Sequence, residues 1–231
     1  MIDELIITVT KRLPAVVPHL RGRALWLALA GEELKTIDSY YRAMRGIIDA
    51  LYNGVISDVE FRNELAGIIS RELNQAVQQA FDESDIGAYG PILTALENMI
   101  QAEYSFIHQL GDEILRANQT QSGAAQFYSR ARVWANRWND AYNMAKRMIA
   151  ELFGERMEWV YGDAEHCDTC RSLNGIVAYA KEWDELNVYP GSPPNGSLDC
   201  GGWRCQCSLV PTDAKKTRGA VSRIRAITRG R

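Results

Sequence analysis

The first 166 residues of this 231-residue chain contain no cysteine, and the whole chain has only three histidines: His19, His108 and His166. A hydrolytic metal site needs His or Asp ligands around an open coordination position with a base beside it, and so few histidines leave little to build one. His166 with Asp163, Glu165 and Asp168 is the one grouping that could be drawn that way, and acidic residues beside a cysteine turn are common decoration. No phosphate loop, dinucleotide fingerprint or nucleophile elbow occurs, so the chain is not expected to be an enzyme. Long apolar runs are absent too. The longest, ALWLALA at 24–30, is about a third of the ~20 residues a membrane-spanning helix requires. The opening MIDELIITVTKRLP is acidic first and basic later, the reverse of a secretory leader. The expectation is a soluble protein made in a reducing cytoplasm, where clustered cysteines serve metal binding or redox chemistry more than disulfides.

What is present is mostly helical periodicity. Hydrophobic content of 46% and charged content of 24% are those of an ordinary globular chain, long enough to bury a core without covalent help. Pro14 and Pro18 limit the first segment to short helices. Beyond it, Leu34, Ile37, Tyr41, Met44, Ile48 and Leu51 fall at steps of three and four and predict an amphipathic helix ended by Asn53-Gly54. Ser57-Asp58-Val59-Glu60 has the form of a capping box. It opens a second stripe through Phe61, Leu65, Ile68, Ile69, Leu73, Val77 and Phe81. A third runs through Leu93, Leu96, Ile100, Ile107 and Ile114, and a fourth through Phe127, Ala131, Trp134, Trp138, Ala141, Ala145, Met148 and Leu152. The spacing of Trp134 and Trp138 makes them helix-interface residues rather than a base-stacking platform. Arg130, Arg132, Arg137 and Arg147 belong to the solvated faces of the same helix.

The pattern changes at Met157. MEWVYG and GIVAYA read as short strands, and NVYPGSPPNGS as turn and loop. All five cysteines lie here: Cys167, Cys170, Cys200, Cys205 and Cys207. A Cys-x-x-Cys turn presents two sulfurs to one tetrahedral ion, and a second pair from a distant turn completes the cage. Cys167 and Cys170 form the first pair; Cys200 and Cys205 are the favoured second pair, with Cys207 as the alternative ligand. Gly201 and Gly202 allow the tight turn this requires. His166 could replace a sulfur, or cap the turn. Zinc suits such thiolates as a closed structural ion, and iron would fit the same ligands. Too few apolar positions fall between 157 and 211 to form a core alone, so ligation would supply part of the folding energy. A redox role would need a thioredoxin-like βαβ setting, which the flanking sequence lacks. A disulfide framework would leave one of five cysteines unpaired.

The net charge of −3 conceals an asymmetry. After Asp213 come two lysines and five arginines with no acid, and removing those seven bases leaves 19 against 29 acids, about −10 for the rest. Lys215, Lys216, Arg218, Arg223, Arg225, Arg229 and Arg231 therefore form either a solvated terminus or a contact for a polyanionic or acidic partner. The expected fold is mainly α: an elongated helical bundle over residues 1–156, a small irregular or β zinc-binding module over 157–211, and a basic tail over 212–231.

These residues also resemble a family. EWVYGDAEHCDTCRSLNGIVAYAKEW, followed by a proline-rich loop and a terminal Cys-x-Cys, is similar to the tailed-phage head morphogenesis proteins, the Mu-type minor head proteins. LYNGVISDVEFRNELAGIISRELNQAVQQAF resembles their glycine-interrupted helical hairpin, and RARVWANRWNDAYNMAKRM their long last helix. The likeness spans most of residues 35–211. Cys167, Cys170, Leu173, Gly175, Pro193, Pro194, Cys205 and Cys207 match the family pattern. Two departures stand out: Gln206 replaces an arginine, and no histidine precedes Cys205, so that Cys200 would complete an all-cysteine cage. The resemblance implies a non-catalytic virion protein of the portal vertex or inner capsid surface. Its partners would be the phage portal or major capsid protein, and packaged DNA through the basic tail. The alternative from another class is a zinc-dependent nucleic-acid-binding or processing protein acting during packaging.

Overall fold

The computed structural model of the chain describes residues 36–162, 165–191, 193–203 and 205–229. Pro14, Pro18, the apolar run at 24–30, Leu34, Asp163, Arg204 and Arg231 lie outside them. The fold is mainly helical with one small sheet: α1 (Ile37–Tyr52), α2 (Asp58–Glu83), α3 (Gly90–Gln119), a 3-10 turn (Ala124–Phe127), α4 (Tyr128–Ala135), α5 (Arg137–Leu152), β1 (Arg156–Val160), α6 (Asp168–Leu173), β2 (Val177–Tyr179), α7 (Ala180–Glu185), β3 (Ser208–Pro211) and α8 (Ala220–Arg229). By its contacts the chain divides into two compact units. One comprises the residues up to Ser70 with Ala102–Ala135, the other Arg71–Gln101 with everything from Asn136 onward. The division therefore cuts across α2 and α3 and does not coincide with positions 156 and 212.

The first unit is a helical core. Every residue of the expected stripe on α2 is buried, from Phe61 to Phe81, the last part of it in the second unit. The helix begins where the capping box places it: the Ser57 N–H donates to Glu60 Oε2 at 2.8 Å, and the Glu60 N–H to Ser57 Oγ at 3.2 Å. Gly54, at φ 67°, ends the connection from α1. On α1 the buried face is Tyr40, Ala43, Met44, Ile47, Ile48 and Leu51, and it packs on α4. Tyr41, expected in that face, is only half-buried and carries the Arg132 guanidinium over its ring at 4.2 Å. On α3 the expected Leu96, Ile107 and Ile114 are buried with Ile92 and Leu110, Leu93 and Ile100 are half-buried, and a carboxylate, Glu103, lies in the same face at 2% exposure. The Trp134 indole N–H donates to Glu103 Oε2 at 2.8 Å, which explains how a charged group is held in an apolar face.

The fourth stripe does not form one helix. It breaks at Asn136 into α4 and α5, and the boundary between the units falls at the same place. Asn is a poor helix interior residue because its amide competes for backbone hydrogen bonds. Trp134 is buried in the first unit, whereas Trp138 is half-buried and stacks on Tyr142 with centroids 5.2 Å apart. Leu152 is exposed, and Ile149 and Ala150 take its place in the core. The arginines of this region are paired: Arg130 with Glu113, Arg132 with Asp38, Arg137 with Asp140 and Arg147 with Asp184.

In the second unit β1 is the central strand of a three-stranded antiparallel sheet ordered β2-β1-β3. Met157 and Trp159 point inward on alternate residues, as a half-buried strand requires. They join Leu173, Ile176, Ala178, Trp183, Val188 and Leu209 in one core. Trp183 lies 5.8 Å from Trp159, centroid to centroid, and its indole N–H donates to the Met157 carbonyl at 3.2 Å. Strand β3 and the short helices α6 and α7 add regular structure where periodicity indicated none. The C-terminal segment is part of this core as well. Ala220 and Ile224 are fully buried in it, and Thr217 pairs with Val177 in both directions at 2.9 Å. Among the described residues no helix is long and apolar enough to cross a membrane.

Candidate metal centre

The first cysteine pair sits at the start of α6. Cys167 is its N-cap, and its sulfur accepts the Cys170 N–H at 3.5 Å. The second group arrives from the loop before β3. Two local devices bring the groups together. Thr169 and Asp199 exchange backbone and side-chain hydrogen bonds, the Thr169 N–H donating to Asp199 Oδ2 at 2.9 Å and the Asp199 N–H to Thr169 Oγ1 at 3.3 Å. Buried Asn195 pins the intervening loop, donating to the Tyr189 and Gly191 carbonyls at 2.9 and 3.1 Å. Gly202, at φ 79°, turns the chain where a Cβ would collide with the Gly191 carbonyl, and a Cβ at Gly162 would collide with that of Gln206.

The result is that all five cysteines converge. The sulfurs of Cys167, Cys170 and Cys200 lie within 4.8 Å of one another, as do those of Cys170, Cys205 and Cys207. Cys170, Cys205 and Cys207 are buried, and Cys167 and Cys200 half-buried. The sequence-based ligands therefore fall in two groups that share Cys170, and Cys207, ranked behind Cys205, belongs to the same group as Cys205. Cys205 and Cys207 precede β3 and still direct both sulfurs to the same centre.

The surroundings divide the thiols, favouring the anion at Cys167 and Cys207 and the neutral form at Cys170, Cys200 and Cys205. Hydrogen bonds from the Cys170 and Cys205 thiols, reinforced by the Gly162 N–H and the Trp159 indole, pull Cys207 down to about 4 despite its burial. Burial pushes Cys167 up, but the N–H groups of Cys170 and Cys200 outweigh it and leave that thiol below its ordinary value. Burial raises Cys200 to about 11 against an opposing Gly202 N–H. Cys170 is pushed far up by donating to Cys205 and Cys207. For Cys205 the bond from Cys170 acts downward, and Cys207 with burial overcomes it. Without a cation, one cluster must thus hold some thiols protonated so that others can ionise; a bound cation would let all of them do so.

One buried donor tests whether a metal fits. The Trp159 Nε1 is buried and has no hydrogen-bond partner of its own, yet it lies near enough to Cys207 to lower that thiol. A metal-bound thiolate is the acceptor such a group needs, and backbone N–H groups aimed at sulfur are the outer shell that orients ligands. The donor set fits a thiophilic ion. His166, whose role the sequence left open, stacks on Tyr161 with centroids 4.0 Å apart; its Nε2 is 3.1 Å from the Gly162 carbonyl and its Nδ1 3.5 Å from Cys207 Sγ. Trp159, Thr169 and Asp199 escaped sequence reasoning because their role appears only when the two cysteine turns meet.

The basic residues do not gather at this centre. Lys215, Lys216, Arg218, Arg223 and Arg225 are exposed. Lys216 pairs with Glu182 and lies over the Tyr179 ring. Arg229 ends α8. No family model, curated protein or solved structure matches the chain.

Proposed function

We propose that the chain is a structural and assembly protein of a bacteriophage head, built on a bundle of helices and a C-terminal module held by structural zinc. The observation that carries the zinc reading is the convergence of five cysteines from two turns about 30 residues apart in the sequence into one largely buried cluster. Cys167, Cys170, Cys200 and Cys205 would hold the ion, with Cys207 as the alternative ligand. Zinc supplies a redox-silent cross-link there, and the protein's own N–H groups stabilise the thiolates. Burial of three of the five sulfurs suits a structural centre.

The phage-head reading rests on the residues that resemble minor head proteins. The module would act as a rigid knob on portal or major capsid subunits, the helices would pack against those partners, and the protein would reside in the virion. Exposed Lys215, Arg218, Arg223 and Arg225 favour a further contact with packaged DNA through phosphate charge, which also keeps a nucleic-acid-binding role in packaging as the second reading. Mass spectrometry of purified virions from the encoding phage should detect the chain in each particle. Its presence in lysate but absence from heads at every stage of assembly would reject the head reading. For DNA, the variant with those four residues changed to glutamate should lose salt-sensitive retention on a DNA column. Unchanged retention would reject the contact. Charge reversal is preferable to deleting the segment, because Ala220 and Ile224 belong to the core.

A further inference from the structure

One tetrahedral ion cannot use all the sulfur assembled here. With metal–sulfur bonds of about 2.3 Å, four thiolates around a single zinc lie about 3.8 Å from one another in every pair. Among the described residues no four sulfurs lie within 4.8 Å of one another; the five form two trios instead, and the trios share a single corner, Cys170. Cys170 is 1% exposed, with Cys167 and Cys200 completing one trio and Cys205 and Cys207 the other.

His166 stands beside the second trio. Its Nε2 lies 3.1 Å from the Gly162 carbonyl, a partner that can only accept, so the ring proton belongs on Nε2 and the Nδ1 lone pair is free to bind. Donation of the second ring N–H to a backbone carbonyl is the usual support of a metal-bound histidine. Nδ1 is 3.5 Å from Cys207 Sγ. Zinc–nitrogen and zinc–sulfur bonds of about 2.0 and 2.3 Å at the tetrahedral angle put their ligand atoms about 3.5 Å apart. A thiol-to-imidazole hydrogen bond has a similar length, so stoichiometry must separate the two.

We propose that the cluster is a two-ion centre in which the Cys170 thiolate bridges two zinc ions. One ion is held by Cys167, Cys170 and Cys200, with solvent at its fourth position on the side of the half-exposed sulfurs. The other is held by Cys170, Cys205 and Cys207; His166, whose Nδ1 is 3.5 Å from Cys207 Sγ but which lies outside the 4.8 Å grouping of the three sulfurs, would close on its fourth position as the ion binds. The inference rests on reading the cluster as a zinc centre. Charge is compatible with it: with all five thiols ionised, two divalent ions leave one net negative charge in the largely buried site. Each ion binds by displacing thiol protons to solvent, with no redox change.

The test is native mass spectrometry of the full chain, purified with zinc under reducing conditions, together with elemental analysis. Two zinc ions per chain are expected. One ion would overturn the bridged centre while leaving the single structural site intact, and none would overturn both. Titration of the metal-free chain with cobalt gives an independent reading: thiolate charge-transfer absorption should rise through two equivalents, and saturation at one would reject the proposal. His166→Ala should reduce the zinc content from two to one. If it keeps two, His166 is not a ligand.

Discussion

Helix α2 and the stretch from Cys167 to Cys207 both bury side chains thoroughly, the first by apolar packing alone and the second with polar and sulfur contacts added to it. On α2, seven apolar residues at helical spacing are at most 4% exposed, so the hydrophobic effect alone organises the segment once one face is covered. The cysteine stretch has two short helices, one three-residue strand and long turns. Its order comes from the Thr169–Asp199 exchange, the Asn195 contacts and the sulfur cluster, added to an apolar core of Leu173, Ile176, Ala178, Trp183 and Val188. A stripe can lose one member and remain a stripe, whereas a cage that loses a ligand loses its ion. The first kind of region should fail gradually and the second all at once.

The largest effect expected is therefore metal loss. Structural zinc contributes an apparent ~10–16 kcal/mol in small zinc-dependent peptides. A strong chelator, or Cys170→Ser, should abolish the near-UV dichroism of Trp159 and Trp183 while most far-UV helical signal survives. Retention of both signals after complete metal removal would show that the apolar core of the second unit suffices without the ion.

Next come single core truncations, one in each unit. Leu65→Ala should cost about 2–5 kcal/mol by transfer and cavity terms and leave zinc content unchanged. Ile224→Ala should cost a comparable amount, about 2–5 kcal/mol, and also accelerate zinc release, because α8 packs on α6, which carries Cys170. Equal zinc release rates in the two variants would remove the distinction between the regions. Trp134→Phe should be milder, about 1–3 kcal/mol, since it withdraws a hydrogen bond from buried Glu103. Denaturant unfolding measures all three.

The smallest effect lies at the start of α2. Ser57→Ala should cost about 1 kcal/mol through loss of the cap. Its partner carries a pH signature. Bonds from the Ser57 N–H and hydroxyl hold Glu60 below its ordinary value. A depressed folded pKa means that the stabilisation is present above the unfolded pKa, about 4.3, and is lost as pH falls through the folded value. The stability gap between wild type and Glu60→Gln should thus be full at neutral pH and close below about pH 4. A gap that persists there would mean that Glu60 acts through packing rather than charge.

Several of these features were legible in the sequence because they are local. The capping box, the Gly54 stop and the α2 stripe depend on residues three or four apart, and the sequence displays that spacing directly. The strands β1 and β2 and the five candidate thiols were equally visible. Features that pair distant residues were not. On α3 the buried Glu103 was not legible, because its partner Trp134 lies 31 residues away in the sequence. The fourth stripe was continuous in spacing, yet its two halves serve different cores. The basic terminus looked solvated because its charges dominate the composition, while Ala220 and Ile224, four apart, anchor it.

For the centre itself, the amino-acid order determined that five thiols on two glycine-supported turns were available to a soft metal ion, since ligand chemistry and loop length are local properties. Tertiary structure alone decided that Cys170 belongs to both trios, that Cys207 joins Cys205 in one of them, and that Trp159 and His166 attend the same sulfur. Those are relations between turns separated by a loop of some 30 residues, and only the packing of that loop through Thr169, Asn195 and Asp199 sets the distance between them.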